Sequence, residues 1–205
     1  MLGGQPVSAE AEESGQDELA APLESYDRVL KAVHWSTLLL IAAAYIAIWG
    51  SHAVATKEQE AFLTHLHRSL GVTVFVLTLF RLGWRWYARI PSLPADLPAI
   101  QKAAARVAEY VLYALMLIQP MLGILYINAR GRRVDFYFLG ELPPIVGTDK
   151  MLAKQAVAAH DIIAYVLLAV IALHAAAALF HHFIRRDDAL NAMLGLSRRW
   201  GPTPP

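Results

Sequence analysis

The sequence predicts an all-α integral membrane protein, an antiparallel bundle of four spans that run up-down-up-down. Of its 205 residues, 57% are hydrophobic and only 17% are charged, whereas soluble domains carry about 25% charged residues. The apolar residues form four long stretches, each close to the length that crosses a hydrocarbon core. Lysine and arginine are distributed unevenly between the two sides, which gives the bundle a direction.

The four spans are predicted at about residues 32–50, 65–87, 107–127 and 155–180. The first carries no formal charge, and at about 1.5 Å per residue it is long enough to cross the membrane. The second has Arg81 within its apolar pattern. The third contains Pro120, which is expected to bend the helix because proline lacks a backbone donor. The fourth is the clearest apolar run.

The bundle is expected to occupy residues 26–187, with a tail at each end. Residues 1–25 hold six acidic residues and no basic one, which predicts a disordered acidic tail. They lack the basic start and apolar core of a secretory signal. Residues 188–205 are predicted to form a short interfacial helix and a C-terminal tail.

The distribution of basic residues predicts that both termini are cytoplasmic. Eleven lysines and arginines fall on one side of the bundle and seven on the other, and the richer side faces the cytoplasm. The eleven are Arg28, Lys31, Arg81, Arg85, Arg89, Lys102, Arg106, Arg185, Arg186, Arg198 and Arg199.

Two features of the composition exclude whole classes of site. The net charge of +1 argues against a nucleic-acid partner, which requires a strong basic excess. The chain has no cysteine, so disulfides, thiolate metal sites, iron–sulfur clusters and covalently attached haem are ruled out.

Four histidines lie within the spans, and their depths pair them. His67 and His160 share the outer half, and His34 and His174 share the inner half. His160 and His174 are fourteen residues apart on the fourth span, so they point out of nearly one face and stand about 21 Å apart along the axis. One helix therefore offers an imidazole to each of two stacked sites.

Two imidazoles at each depth predict two six-coordinate haem irons, each with a bis-histidine ligand pair. Small residues such as Gly71 and Gly123 would make room for the flat macrocycles. A single histidine in a membrane span is more often a hydrogen-bonding residue, but four matched in depth are harder to explain in that way. A histidine metal site would need three or four ligands at one depth.

Two arginines are candidate partners of the haem propionates. Arg81, within the second span, is expected to pair with an anion, for which a propionate of the inner haem is suited. Alternatively, its side chain reaches the inner interface. Arg68, next to His67, is expected to pair with a propionate of the outer haem in the same way as Arg81 at the inner one.

Four sequence stretches resemble the bacterial cytochrome b561 family. They are AVHW (32–35), HRSLG (67–71), ILYINARG (124–131) and LHAAAALFHH (173–182). The likeness covers about residues 26–196 and is greatest to the small four-helix, superoxide oxidase-like members. The resemblance implies two haem b groups, one held by His34 and His174 and the other by His67 and His160.

The resemblance also implies a function and a location. It implies a bacterial inner membrane protein that takes electrons from superoxide at the outer haem and passes them from the inner haem to ubiquinone. His181 lies seven residues beyond His174 on the same face, where it would bond a quinone carbonyl and deliver a proton. The alternative is an interfacial histidine beside Arg185 and Arg186.

Three functions remain open on the sequence alone. The first is a stand-alone superoxide:quinone oxidoreductase. The second is the haem-bearing subunit of a larger dehydrogenase or respiratory complex, which receives electrons from a protein donor. The third is a haem-free channel or transporter in which the histidines relay protons.

Overall fold

The computed structural model describes residues 25–88, 90–91 and 97–196, and four long helices dominate it. These are α1 (Arg28–Ser51), α2 (Lys57–Trp84), α3 (Ala99–Ala129) and α4 (Lys150–Phe180). Each is long and apolar enough to cross a membrane. Outside the described residues lie 1–24 of the predicted acidic tail, Arg89, most of the loop before α3 and residues 197–205.

The helices extend beyond the predicted apolar spans at several ends. The second begins at Lys57 rather than near residue 65, because Thr56 caps its first turn and Glu58 and Glu60 favour a helix start. The third begins at Ala99, directly after Pro98. Hydropathy identifies only the part of a helix that lies in hydrocarbon, so it does not reveal the polar turns at the helix ends.

The end of the bundle at which α1 begins is called the inner end and the opposite end the outer end, as the sequence predicts them. A small hairpin closes the outer end. Strands β1 (Val134–Asp135) and β2 (Glu141–Leu142) pair antiparallel. Val134 packs on Val72 of α2 and Ile127 of α3, so the hairpin lies over these two helices. The prediction of an all-α bundle did not include this hairpin.

The inner end finishes with a π-helical turn and a short helix. The turn covers His181–Arg185 and continues α4. Arg186 then takes a left-handed backbone conformation with φ of 60°, and α5 (Ala189–Leu194) follows. The indole of Trp35 in α1 donates to the carbonyl of Met193 at 3.3 Å, which fastens α5 to the bundle at the predicted position of the interfacial helix.

The packing divides the bundle into two helical hairpins. α1 packs mainly on α2 and α3 mainly on α4, while α2 and α3 join the two hairpins. Large apolar side chains face outward along the helices, among them Leu39, Ile46, Ile162 and Leu173, each at least 65% exposed. Such a surface is suited to lipid rather than to water.

Asp27 ties the inner ends of α1 and α2 together. Its carboxylate accepts from the backbone N–H of Val29 and from the indole N–H of Trp84, both at 2.9 Å. The indole hydrogen bond, followed by bonds from the backbone of α1, holds the pKa of Asp27 below its ordinary value of 3.8.

We expect the Asp27→Ala variant to unfold a few degrees lower than wild type in detergent at neutral pH. A lowered folded-state pKa contributes stability above the ordinary value, and this contribution is lost as the pH falls through the folded value. The difference between the two proteins should therefore shrink below about pH 3.8. Asp149→Ala, which removes the equivalent cap of α4, is the control. Its carboxylate bonds only its own helix among the described residues, so an equal effect would exclude a role for Trp84.

Candidate functional site

Four histidines of the long helices meet as two pairs, one in each half of the bundle. His67 of α2 faces His160 of α4, with ring centroids 6.2 Å apart and ring planes at 83°. His34 of α1 faces His174 of α4, with centroids 6.4 Å apart and planes at 65°. The structure thus brings together the same side chains that depth pairs in the sequence. Their use as ligands is still a prediction at this point.

A layer of apolar side chains separates the two pairs. Ile41, Val74, Tyr113, Met116 and Leu167 form one buried cluster with members from all four long helices. Leu167 lies midway between His160 and His174 on α4, seven residues from each, and Ile41 lies seven residues after His34 on α1. The cluster therefore keeps water away from the space between the outer pair and the inner pair.

The outer pair has its ring orientation set by backbone carbonyls. Nδ1 of His67 lies 2.9 Å from the carbonyl oxygen of Ala44, and Nδ1 of His160 lies 3.0 Å from that of Gln119. A carbonyl oxygen only accepts, so each neutral ring carries its proton on Nδ1 and leaves the lone pair on Nε2. Histidines that bind metal through Nε2 are oriented in this way.

The inner pair is arranged differently, because Arg81 contacts one of its members. A guanidinium N–H of Arg81 donates to Nδ1 of His34 at 3.1 Å, since a guanidinium cannot accept. In this arrangement the proton of a neutral His34 resides on Nε2. Ligation through Nε2 would require Arg81 to exchange this contact for another acceptor.

One N–H group of Arg81 has no acceptor among the described residues. Its Nε is buried and has no hydrogen-bond partner among the described residues, and its guanidinium lies 5.4 Å from the ring centroid of Tyr113. A buried cation without a carboxylate partner is costly in a membrane. Both sequence interpretations, propionate partner and interfacial side chain, placed Arg81 at the inner end, where the structure has it beside His34.

The outer end carries the second arginine and an exposed basic turn. Arg68 is 16% exposed, and the carboxylate of Asp135 lies 3.8 Å from it, beyond hydrogen-bond distance. Arg130, Arg132 and Arg133 are exposed on the turn after α3. These four cations give the outer mouth a positive local field.

Two glycines border the outer pair in different ways. A Cβ built on Gly71, one turn beyond His67, meets nothing within 4 Å. A Cβ on Gly123 would stand 3.2 Å from Cε1 of His160, tighter than ordinary contact. Gly123 therefore lets α3 approach the His160 ring, and Gly71 borders open space on the α2 side.

His181 lies at the inner end and is held by an acidic partner. Its Nδ1 is 2.5 Å from Oδ2 of Asp187, a carboxylate that is only 8% exposed. Nε of Arg185 lies 3.3 Å from the same oxygen. His181 itself is 24% exposed, so its ring reaches the surface of the bundle. His182, next to it, is buried.

Several groups around these sites were not found by reading the sequence. Tyr26 lies at the inner end, where burial raises the pKa of its hydroxyl and the nearby Arg85 and Arg81 guanidiniums partly oppose this. The carbonyls of Ala44 and Gln119 carry no sequence signal, since every residue has one. Asp187 lies six residues after His181, a spacing that does not bring two side chains together on a regular α-helix.

Comparison with known proteins identifies the family. The family model described as prokaryotic cytochrome b561 matches residues 25–196. Cytochrome b561 homolog 1 of Escherichia coli (strain K12) is 32% identical over 167 residues, which cover 79% of this chain and 92% of the relative. The probable superoxide oxidase CybB of Yersinia pestis is 29% identical over 177 residues, covering 85% and 98%. Cytochrome b562 of Cereibacter sphaeroides is 29% identical over 181 residues, covering 82% and 94%.

The chain belongs to the prokaryotic cytochrome b561 family. Membership confirms the resemblance drawn from the four sequence stretches and makes this chain a bacterial membrane protein that transfers electrons. The family also implies haem b as its prosthetic group.

The histidine pairs of this cytochrome fit a haem. Imidazole nitrogens bind first-row metals at about 2.0–2.1 Å, so two rings on opposite sides of one metal would have centroids roughly 6.3–6.5 Å apart. The observed separations are 6.2 and 6.4 Å. Within the described residues no three His, Cys, Asp or Glu side chains converge as a metal cluster. A porphyrin needs only two protein ligands, which is what each pair offers.

Proposed function

We propose that this cytochrome holds two haem b groups and is a superoxide:quinone oxidoreductase. The observation that carries the proposal is the presence of two histidine pairs at two depths, with ring centroids 6.2 and 6.4 Å apart, so that each pair could bind one haem. The outer pair in addition has both Nε2 lone pairs free for a metal. The name of the Yersinia pestis relative, probable superoxide oxidase, supports the choice of substrate.

In this proposal His67 and His160 hold the outer haem, and His34 and His174 hold the inner one. Haem b, when bound, supplies a one-electron carrier at each depth. Bis-histidine ligation leaves no open position for oxygen to bind. The buried layer that contains Ile41 and Leu167 excludes water between the two carriers.

Arg81 and Arg68 are proposed to hold haem propionates, at the inner and outer ends respectively. Each has a guanidinium without a carboxylate within hydrogen-bond distance in the described part of the chain. A guanidinium fork matches a carboxylate in geometry and charge. If Arg81 held a propionate instead, Nδ1 of His34 would be released from its contact with Arg81.

The donor is proposed to be superoxide, which reaches the outer end of the bundle. A small anion is attracted by Arg68 and by the exposed Arg130, Arg132 and Arg133. Glu141 lies 3.6 Å from Arg133 and weakens the field there. The attraction is therefore local to the mouth of the outer site and should be screened by salt.

The acceptor is proposed to be ubiquinone at the inner end, with His181 as the catalytic residue. Two superoxide ions lose one electron each to give two molecules of oxygen, and the quinone takes up two electrons and two protons to give the quinol. Nε2 of His181 is the ring nitrogen not engaged by Asp187. It is available to bond a quinone carbonyl and to deliver one proton.

This assignment of substrates places the outer mouth in the periplasm and both termini in the cytoplasm of a bacterial inner membrane. The excess of basic residues on the terminal side supports this orientation. Arg89, Arg198 and Arg199, which contribute to that excess, lie outside the described residues.

The test is quinol formation by the purified protein, supplied with enzymatically generated superoxide and ubiquinone-1. We expect quinol in a ratio of one per two superoxide ions, at a rate that falls as ionic strength rises because the outer cations steer the anion. Chemically reduced haem b should also be reoxidised by the quinone. If superoxide leaves the haem oxidised while the quinone reoxidises reduced haem, the donor is a protein and the chain serves a larger complex. A protein that binds no haem during expression with haem would exclude both electron-transfer functions.

A further inference from the structure

Asp187 is more firmly bound to His181 than a helix cap would require. Its Oδ2 is 2.5 Å from Nδ1 of His181, and its backbone N–H donates to the carbonyl of His181 at 3.1 Å. Asp187 therefore contacts His181 through both its side chain and its backbone. Oδ1 accepts from the backbone N–H of Ala189 at 3.2 Å, which fixes the carboxylate from its other side.

The backbone between these two residues is unusual for a membrane helix. The α-helical hydrogen-bond pattern of α4 widens into a π-helical turn at His181, and such turns are rare and frequent at functional sites. Arg186 then adopts a left-handed conformation, with φ of 60°, which is unfavourable for a residue with a side chain. Together they turn the chain so that Asp187 folds back onto His181.

The carboxylate of Asp187 is buried and lies close to both His181 and Arg185. Asp187 is 8% exposed, whereas His181 is 24% exposed, so the pair has a buried acidic partner and a histidine that reaches the surface. Arg185 approaches the same oxygen of Asp187 at 3.3 Å and neutralises part of its charge. A buried carboxylate on Nδ1 fixes the tautomer and orientation of an imidazole.

We propose that Asp187 is the positioning residue of the proton donor, which holds His181 so that Nε2–H faces the quinone oxygen. This inference rests on the proposed quinone reduction at the inner end. In the step, the Nε2–H bond of protonated His181 breaks and an O–H bond forms on the reduced quinone. The Nδ1 proton stays in its hydrogen bond with Asp187, and Nε2 is reprotonated from cytoplasmic water.

Other charged groups share this end of the bundle. Arg185 is in contact with Asp187, while His182, Arg186 and Asp188 belong to the same turn. Lys31 of α1 lies against Gly195, beyond α5. Asp188, directly before α5, accepts from the side-chain amide of Asn191 at 2.6 Å. Its carboxylate therefore contacts α5, and Asp188 is the matched control.

The test uses the full-length, haem-loaded protein, with superoxide as donor and ubiquinone-1 as acceptor, over a range of about pH 5.5–8.5. We expect His181→Gln to lower kcat by about 100-fold and Asp187→Asn to lower it by roughly tenfold near pH 7.5, since general acids contribute in this range. The Asp187→Asn deficit should appear in kcat rather than in the KM for quinone, because the carboxylate of Asp187 is not proposed to touch the quinone. The double variant should be no slower than His181→Gln alone, because Asp187 acts through His181. Asp188→Asn should match wild type in rate and pH profile.

A reduced-minus-oxidised haem spectrum identical to that of wild type must accompany each rate, so that a folding defect is not mistaken for a catalytic one. Asp187→Glu, which keeps the charge, should retain more activity than Asp187→Asn. If His181→Gln is slow while Asp187→Asn keeps the wild-type rate and pH profile, the positioning role is wrong and the proposed function stands. If wild type forms no quinol, or His181→Gln is as fast as wild type, the quinone site proposed at His181 fails and this inference fails with it.

Discussion

Replacing His67 and His160 together is expected to remove one haem b per chain, no more than either single replacement removes. The wild-type protein should bind about two haem b, and each of these three variants about one. The reason is that the two rings face each other across one site, with centroids 6.2 Å apart. Once one axial ligand is gone the site is lost, so the second replacement has nothing further to remove.

Replacing His67 and His34 together should have a different outcome, because these histidines belong to different pairs. That double variant should bind no haem at all. The measurement is pyridine haemochrome quantitation per chain on protein purified in detergent, with monodispersity as the check on folding. His52→Ala, at an exposed position, is the control and should keep both haems. Retention of one haem by the His67/His34 variant would mean that the pairs are assigned wrongly.

A bulky side chain at Gly71 is expected to exclude the outer haem. Gly71 lies one turn beyond His67, and a Cβ there meets nothing within 4 Å. Leucine at this position would extend into the space beside the ligand, where the proposal puts the macrocycle. We expect Gly71→Leu to bind about one haem b instead of about two, which is the same loss as removal of an outer ligand.

Gly83→Leu is the matched control for this experiment. Gly83 is also in α2, and its added Cβ likewise meets nothing within 4 Å, but it is exposed and lies near the other end of the helix. Both substitutions raise helix propensity by a similar amount, so a difference between them reports the surroundings. Two haems in Gly71→Leu, with an unchanged spectrum, would place the outer macrocycle on another face of α2.

The four spans and the histidine pairs could be predicted because both depend on position along a helix. Hydropathy gives the depth of each residue, and a rise of 1.5 Å per residue turns sequence separation into distance across the bilayer. This places His160 and His174 at two different depths in the bundle. The same reasoning needed no knowledge of which helix packs on which.

The contacts around the histidines could not be predicted, because they depend on how the helices pack against one another rather than on position along one helix. Arg81 and His34 are 47 residues apart in sequence, and their contact depends on how α1 and α2 rotate about their axes. The bond between His181 and Asp187 depends on a π-helical turn, whereas α-helical spacing was assumed. Arg85, directly after α2, forms an ion pair with Glu109 of α3 that periodicity alone does not reveal.

The division of the bundle into two hairpins has a consequence for how the protein is assembled. Every histidine pair takes one member from the first hairpin, in α1 or α2, and its other member from α4 of the second. If each pair binds a haem as proposed, each cofactor would join the two halves of the chain, in the way that a disulfide joins two segments. The hairpins would then insert into the bilayer as separate units, and haem binding would hold them together. On this proposal, haem supply would control the last step in the assembly of the bundle.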